Sequence, residues 1–165
     1  MAIRESSGGP VLSMRGTVRL KNRGGFIQAR LRLDPRGSHF DASDWRGVRL
    51  KVRDVPGPYY VHLRMRQHWM PWQYYRARFE VGSEWREVSI PFTAFESAAT
   101  RRVLDERALK SIAVVAYGEA FEADIEVVHI ELVAPWALSH RSLARRPGRF
   151  RSIAFRRRLV KSYPC

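Results

Sequence analysis

At 165 residues the chain suits one domain, large enough to bury a core without disulfides or metal. Its one cysteine, Cys165, excludes an internal disulfide; with no apolar N-terminal core of signal-peptide length and no stretch apolar enough to cross a bilayer, a soluble, cytoplasmic protein is expected. The net charge of +14 lies mainly in a tail: nine of the thirty basic residues follow His140, so residues 1 to 140 hold 21 basic against 16 acidic residues, or +5, which argues against nucleic-acid binding by the body of the chain.

In chain order, residues 1 to 13 read as an N-terminal extension or the remnant of a first strand. Gly24-Gly25 marks the start of a strand beside another backbone, where a turn needing φ > 0 accounts for the glycines. Ile27, Ala29, Leu31 and Leu33 then alternate with Gln28, Arg30 and Arg32, the period of a half-buried strand, and Asp34-Pro35-Arg36-Gly37 turns the chain. Val48, Leu50 and Val52 alternate with Arg49, Lys51 and Arg53 in a second strand, closed by Asp54-Val55-Pro56-Gly57-Pro58.

The segment from Tyr59 to Phe79 is the richest in recognition chemistry. Seven of the nineteen aromatic residues fall in it beside His62, Arg64, Arg66, Arg76 and Arg78, with no carboxylate. Val61, Leu63 and Met65 alternate with Tyr60, His62, Arg64 and Arg66; after a loop, Gln73, Tyr75, Ala77, Phe79 and Val81 alternate with Tyr74, Arg76, Arg78 and Glu80. Two neighbouring strands are predicted, each with a core side and a presented side. Gln28, His62, Arg64, Trp69, Trp72, Gln73 and Tyr75 are the candidate binding residues: the amide, imidazole and guanidinium groups can hydrogen-bond sugar hydroxyls or a peptide, and the rings, with Tyr74, offer flat apolar faces.

Gly82-Ser83 is a further turn, followed by strands at Trp85 to Ile90, Ile112 to Tyr117 and Asp124 to Val133. The last changes phase between Val127 and Val128, as an inserted bulge would produce. Asp105 to Lys110 could form about one and a half helical turns from an Asp cap. Short strands spaced by turns, with no alternation of strand and helix, predict an all-β sandwich or jelly roll. From residue 135 to 165 the composition becomes Arg-rich and Pro-interrupted, a tail expected to be poorly ordered alone.

Catalytic sets are missing from this pattern. The five histidines are scattered with no pair at metal-ligand spacing, no serine lies in a nucleophile elbow, and no carboxylate stands within the aromatic segment; Asp41-Ala42-Ser43-Asp44 is a turn or cap. No enzyme, no cofactor and no metal site is expected.

Several words, in order and spacing, carry a family resemblance: Gly16-Thr17-Val18-Arg19-Leu20-Lys21-Asn22-Arg23-Gly24-Gly25-Phe26-Ile27-Gln28, Phe40-Asp41-Ala42-Ser43, Tyr60-Val61-His62-Leu63-Arg64, Pro71-Trp72-Gln73-Tyr74-Tyr75-Arg76-Ala77 and Ile90-Pro91-Phe92-Thr93-Ala94-Phe95. Over about residues 14 to 134 the chain resembles the complex I intermediate-associated protein 30 family in its bacterial form. The resemblance implies a galactose-binding-like β-jelly roll, related to family 11 carbohydrate-binding modules, and a non-catalytic, chaperone-like assembly role for respiratory NADH:ubiquinone oxidoreductase. Where relatives commonly carry Glu-Asn-Asn before Gly-Gly-Phe, this chain has Lys21-Asn22-Arg23, a basic loop.

The expected partner is therefore a protein, with respiratory-complex subunits as the named candidates and a carbohydrate as the alternative. A separate activity is offered by the tail, whose Arg145, Arg146, Arg149, Arg151, Arg156, Arg157 and Arg158 could neutralise nucleic-acid phosphates or anionic lipid headgroups.

Overall fold

A computed structural model describes residues 2–6, 9–20, 25–36, 38–134 and 151–153, with backbone alone for 2–10 and 151–153. Two antiparallel sheets face each other. The first is built from β1 (Ala2–Ser6), β2 (Gly9–Val18), β4 (Gly47–Asp54), β7 (Arg86–Pro91), β10 (Phe121–Val133) and β11 (Arg151–Ile153), in the order β1-β2-β10-β4-β7 with β11 also on β10. The second holds β3 (Phe26–Arg32), β5 (Tyr59–Met65), β6 (Tyr74–Phe79), β8 (Glu96–Ala98) and β9 (Leu109–Tyr117), in the order β3-β9-β5-β6-β8. This is the jelly-roll sandwich expected from the strand pattern.

The core lies between the sheets because the apolar half of each alternation points there. Leu12, Met14, Leu50, Ile125, Ile130 and Leu132 come from one sheet and Tyr59, Leu63, Met65 and Ile112 from the other, all nearly sealed from solvent. Tyr59 also ties the sheets with polar bonds: its hydroxyl donates to the Asp124 carbonyl at 3.0 Å and accepts from the Asp124 N–H at 3.1 Å.

Local departures have physical causes. The bulge expected in the last long strand is present as a register shift between Val127 and His129 against β4. In place of a turn and a half of helix there is one 3₁₀ turn, Glu106–Ala108, capped by the Asp105 side chain, which accepts from the Arg107 N–H; strand pairing with β3 and β5 claims the chain from Leu109 onward. Gly25 does not have positive φ; a side chain there would put its Cβ 3.0 Å from the Arg19 carbonyl oxygen, so close approach of two backbones is what requires glycine.

Ala2–Ser6 and Gly9–Val18, in the stretch much of which the sequence pattern set apart, form the edge strand β1 and its neighbour β2. Of the basic tail, Arg151–Ile153 pairs with Ile130–Leu132 as β11, while Arg145, Arg146, Arg149, Arg156, Arg157 and Arg158 lie outside the described residues. No helix among the described residues is long and apolar enough to cross a membrane.

Candidate functional site

The outer face of the second sheet carries a groove of about 660 Å³. Register explains its position. Arg30 of β3, Ala113 of β9, His62 of β5 and Arg76 of β6 stand in one row across the strands, and Arg32, Ser111 and Arg64 in the next. Small side chains on the central strand lie between long ones on its neighbours, which leaves a depression over β9. Phe26 and Tyr117 line one part of the groove, and Pro71, Trp72 and Tyr74 another. Because β9 and β5 are paired on both edges, their backbone groups are spent in the sheet and the groove offers side chains alone.

His62 stacks on Tyr74, with ring centroids 4.1 Å apart and planes 12° from parallel. Burial, then the nearby Arg76 and Arg30, push its imidazole down to about 3, so it is neutral at physiological pH. One ring nitrogen then donates and the other accepts. Its buried Nε2 has no hydrogen-bond partner among the described residues.

Arg64 is anchored by loop backbone, not by an acid. Its Nη2 donates to the carbonyls of His68 at 3.0 Å and Met70 at 2.8 Å, while its buried Nε has no partner among the described residues. Burial, then Arg30, lower the affinity of its guanidinium for a proton. Arg30 in turn donates from Nη2 to Gln28 Oε1 at 3.1 Å. Among the described residues that line the groove there is no carboxylate.

The first sheet is different. On its strands Arg53 meets Glu126 at 2.9 Å, Arg15 meets Asp124 at 2.9 Å, and Arg49 approaches Glu131 at 3.5 Å. That face is a ladder of cross-strand ion pairs in which Glu126 and Glu131 are mostly covered while Arg15 and Arg53 stay about half exposed.

Of the seven candidate residues, Gln28, His62, Arg64 and Trp72 converge on the groove. Tyr75 does not reach it. Two-residue periodicity places it with Ala77 and Phe79 on the core side, where it is 2% exposed and its hydroxyl donates to the Arg102 carbonyl. Gln73 is a loop brace, its N–H donating to the Met70 carbonyl and its Oε1 accepting from the Met70 N–H. Trp69 stands 87% exposed beyond the groove lining.

Arg30, Phe26, Ser111, Ala113, Val115 and Tyr117 also line the groove. The signal for Arg30 was its phase, shared with Gln28. For β9 no such signal existed, because a strand buried on both faces reads as a continuous apolar run. Asp41 lies outside the groove lining; it accepts from the Ser43 N–H in its own turn, and bonds to Ser43 hold its carboxyl below the usual range.

Residues 2–119 match the family described as complex I intermediate-associated protein 30. Among solved structures, the chain is similar to the family 11 carbohydrate-binding module of a cellulosomal cellulase of Clostridium thermocellum, at 18% identity and a TM-score of 0.67 over 86% of this chain and 83% of that one. It is also similar to a family 11 module of the same organism in complex with a β-1,3-1,4-mixed-linked tetrasaccharide (16% identity, TM-score 0.62, 81% of each chain). A family 30 carbohydrate-binding module of a cellulosomal cellulase, again of Clostridium thermocellum, aligns at 13% identity and a TM-score of 0.61 over 81% of this chain and 82% of that one. These likenesses are of fold. No curated protein matches the chain.

Proposed function

Because the chain belongs to the complex I intermediate-associated protein 30 family, we propose that it is a non-catalytic binding domain with an assembly-factor role for a respiratory NADH:ubiquinone oxidoreductase-type complex. The partner subunit is held by the loop from Trp69 to Trp72 beside the groove. That loop carries the reading: Trp69 is 87% exposed, Trp72 59% and Met70 48%, yet its backbone is braced by Arg64 and Gln73. Large aromatic side chains presented on a braced loop lose little freedom on binding and are the usual anchors of protein interfaces. The test is purification of the tagged full chain from its own cells, beside a Trp69→Ala/Trp72→Ala variant, with mass spectrometry of what accompanies each. Respiratory-complex subunits are expected with the first and depleted from the second; recovery of no such subunit and no other stable partner would overturn the reading.

The groove itself favours a second reading, carbohydrate binding. Trp72 and the stacked pair of His62 and Tyr74 supply ring faces, and Gln28, His62 and Arg64 supply hydrogen-bonding groups to one space of suitable size. Calorimetric titration with oligosaccharides tests it, and affinity no better than millimolar across a glycan array would eliminate it.

A further inference from the structure

At one end of the second sheet two loops meet: residues 66–73, which join β5 to β6, and residues 99–105, which follow β8. Backbone contacts hold them together. The Tyr75 hydroxyl donates to the Arg102 carbonyl, the Asp105 N–H donates to Met65 Sδ at 3.1 Å, and the Arg66 N–H donates to the Ala108 carbonyl at 2.8 Å. His68 stacks on Tyr75 and is near enough to Arg102 to feel its charge.

Both loops hold apolar side chains out to solvent. Trp69, Met70 and Trp72 are exposed on the first and Val103, at 86%, on the second. Val103 is fixed from both sides, since the Arg102 N–H donates to Thr100 Oγ1 at 3.3 Å and Leu104 packs against the core. One exposed apolar residue is ordinary, but four on two adjoining braced loops form a surface that gains by being covered.

The charge around these side chains has one sign. Arg66, Arg101 and Arg102 are exposed, and no carboxylate occurs in residues 66–73 or 97–104. Of the acids that flank these stretches, Asp105 accepts from the Arg107 N–H in its own turn and Glu96 stands in register with Arg76 on β6. Among the described residues none of the three arginines forms an ion pair, whereas Arg15, Arg49 and Arg53 on the first sheet each meet a carboxylate.

We infer that the two loops form one docking surface for a protein partner that presents an acidic segment bearing apolar side chains; this rests on the first reading above and names the chemistry of the partner it requires. The residue types favour a protein over an anionic membrane. The surface combines Trp, Met and Arg and has no Lys, the set enriched where proteins meet, while lipid headgroups attract Lys and Arg alike and take clusters of about 4–8 of them. Arginine also grips a carboxylate through two parallel N–H donors, which sets the register of a partner beside the rings.

The test uses the tagged full chain purified from its own cells, beside Arg101→Glu/Arg102→Glu, Arg66→Glu and, as a control on the edge strand β7, Arg86→Glu. Subunits found by mass spectrometry with the parent chain are expected to fall about tenfold with either of the first two variants at unchanged melting temperature, and to stay with the third. Raising the salt from about 0.15 M to about 1 M should release them from the parent. Two separate sites keep the test usable where one substitution disturbs folding. Recovery of no partner with the parent would overturn the first reading and this inference together. A partner lost with Trp69→Ala/Trp72→Ala but kept by both loop-arginine variants would overturn this inference alone, and so would an equal loss with Arg86→Glu, which would reduce the effect to net charge. Vesicles of phosphatidylglycerol and of phosphatidylcholine supply the remaining comparison. Cosedimentation with the anionic lipid only, abolished by the same loop-arginine variants, would assign the surface to a membrane and overturn the protein partner; no cosedimentation supports it.

Discussion

The imidazole of His62 lies flat on the phenol ring of Tyr74, 4.1 Å between centroids, and His62 pairs in register with Arg76 on the neighbouring strand. Packing an ionisable ring against an aromatic face and two arginines removes its water and surrounds it with positive charge. Its folded-state value is held near 3, against 6.5 for a free histidine. Between those values the unfolded chain binds more protons than the folded one, so stability rises with pH across the window. Its contribution is complete above about 6.5 and is lost as pH falls toward 3. The His62 Cε1 proton should show no titration step between pH 5 and 8 by NMR, in the range where an ordinary histidine changes charge. Thermal melts of His62→Gln should lose less stability on acidification than the parent chain, and a midpoint near 6.5 for His62 would contradict the burial described.

Tyr59→Phe should cost about 1–3 kcal/mol, since the hydroxyl lost is bonded to both the N–H and the carbonyl of Asp124 and both would be left without it between the sheets. Urea denaturation with an unchanged slope would measure it. A loss below about 0.5 kcal/mol would mean that water replaces the hydroxyl at no cost.

Gly47→Ala should destabilise by about 1–3 kcal/mol through overpacking. A Cβ at this position would meet the Ile90 carbonyl oxygen and come within 2.8 Å of the Pro91 Cα. Those atoms belong to the ladder between β4 and β7, so relief requires moving a strand, not a side chain. The melting temperature should fall, and the edge strand β7 should exchange its amide protons faster.

Trp69→Ala should leave stability within about 0.5 kcal/mol, because a side chain 87% exposed gives up little buried area on truncation. Partner capture should nevertheless fall in the same variant. A large stability loss with capture intact would reverse the assignment and make Trp69 a packing residue.

Much of the fold was legible because side chains alternate along a strand whatever their distant neighbours are. Val61, Leu63, Ala77 and Phe79 are buried and Tyr60, Tyr74 and Arg76 are turned outward, as their spacing predicts. The same rule assigned Tyr75 to the core, and its inclusion among binding residues set ring chemistry above phase. The phase change at Val127 reported the bulge because a bulge is itself a local insertion. Helix length at Asp105 was not legible, since cap chemistry starts a turn and only strand pairing at Leu109 stops it.

What the sequence alone determined, then, was the alternation: which side chains leave each strand toward the core and which toward solvent, together with the placing of surplus charge in the tail. What only tertiary structure decided was adjacency. Arg30 and Arg64 are 34 positions apart in the sequence, and they become neighbours of one groove because β9, beginning at Leu109, inserts between β3 and β5 and supplies the small Ser111 and Ala113 beneath them. Ladder order is set by which long-range pairings bury the most apolar surface, and no local periodicity encodes it. The neutral state of His62 follows from the same source, since burial among side chains of neighbouring strands, Tyr74 of β6 among them, and not the identity of its neighbours along β5, removes its water.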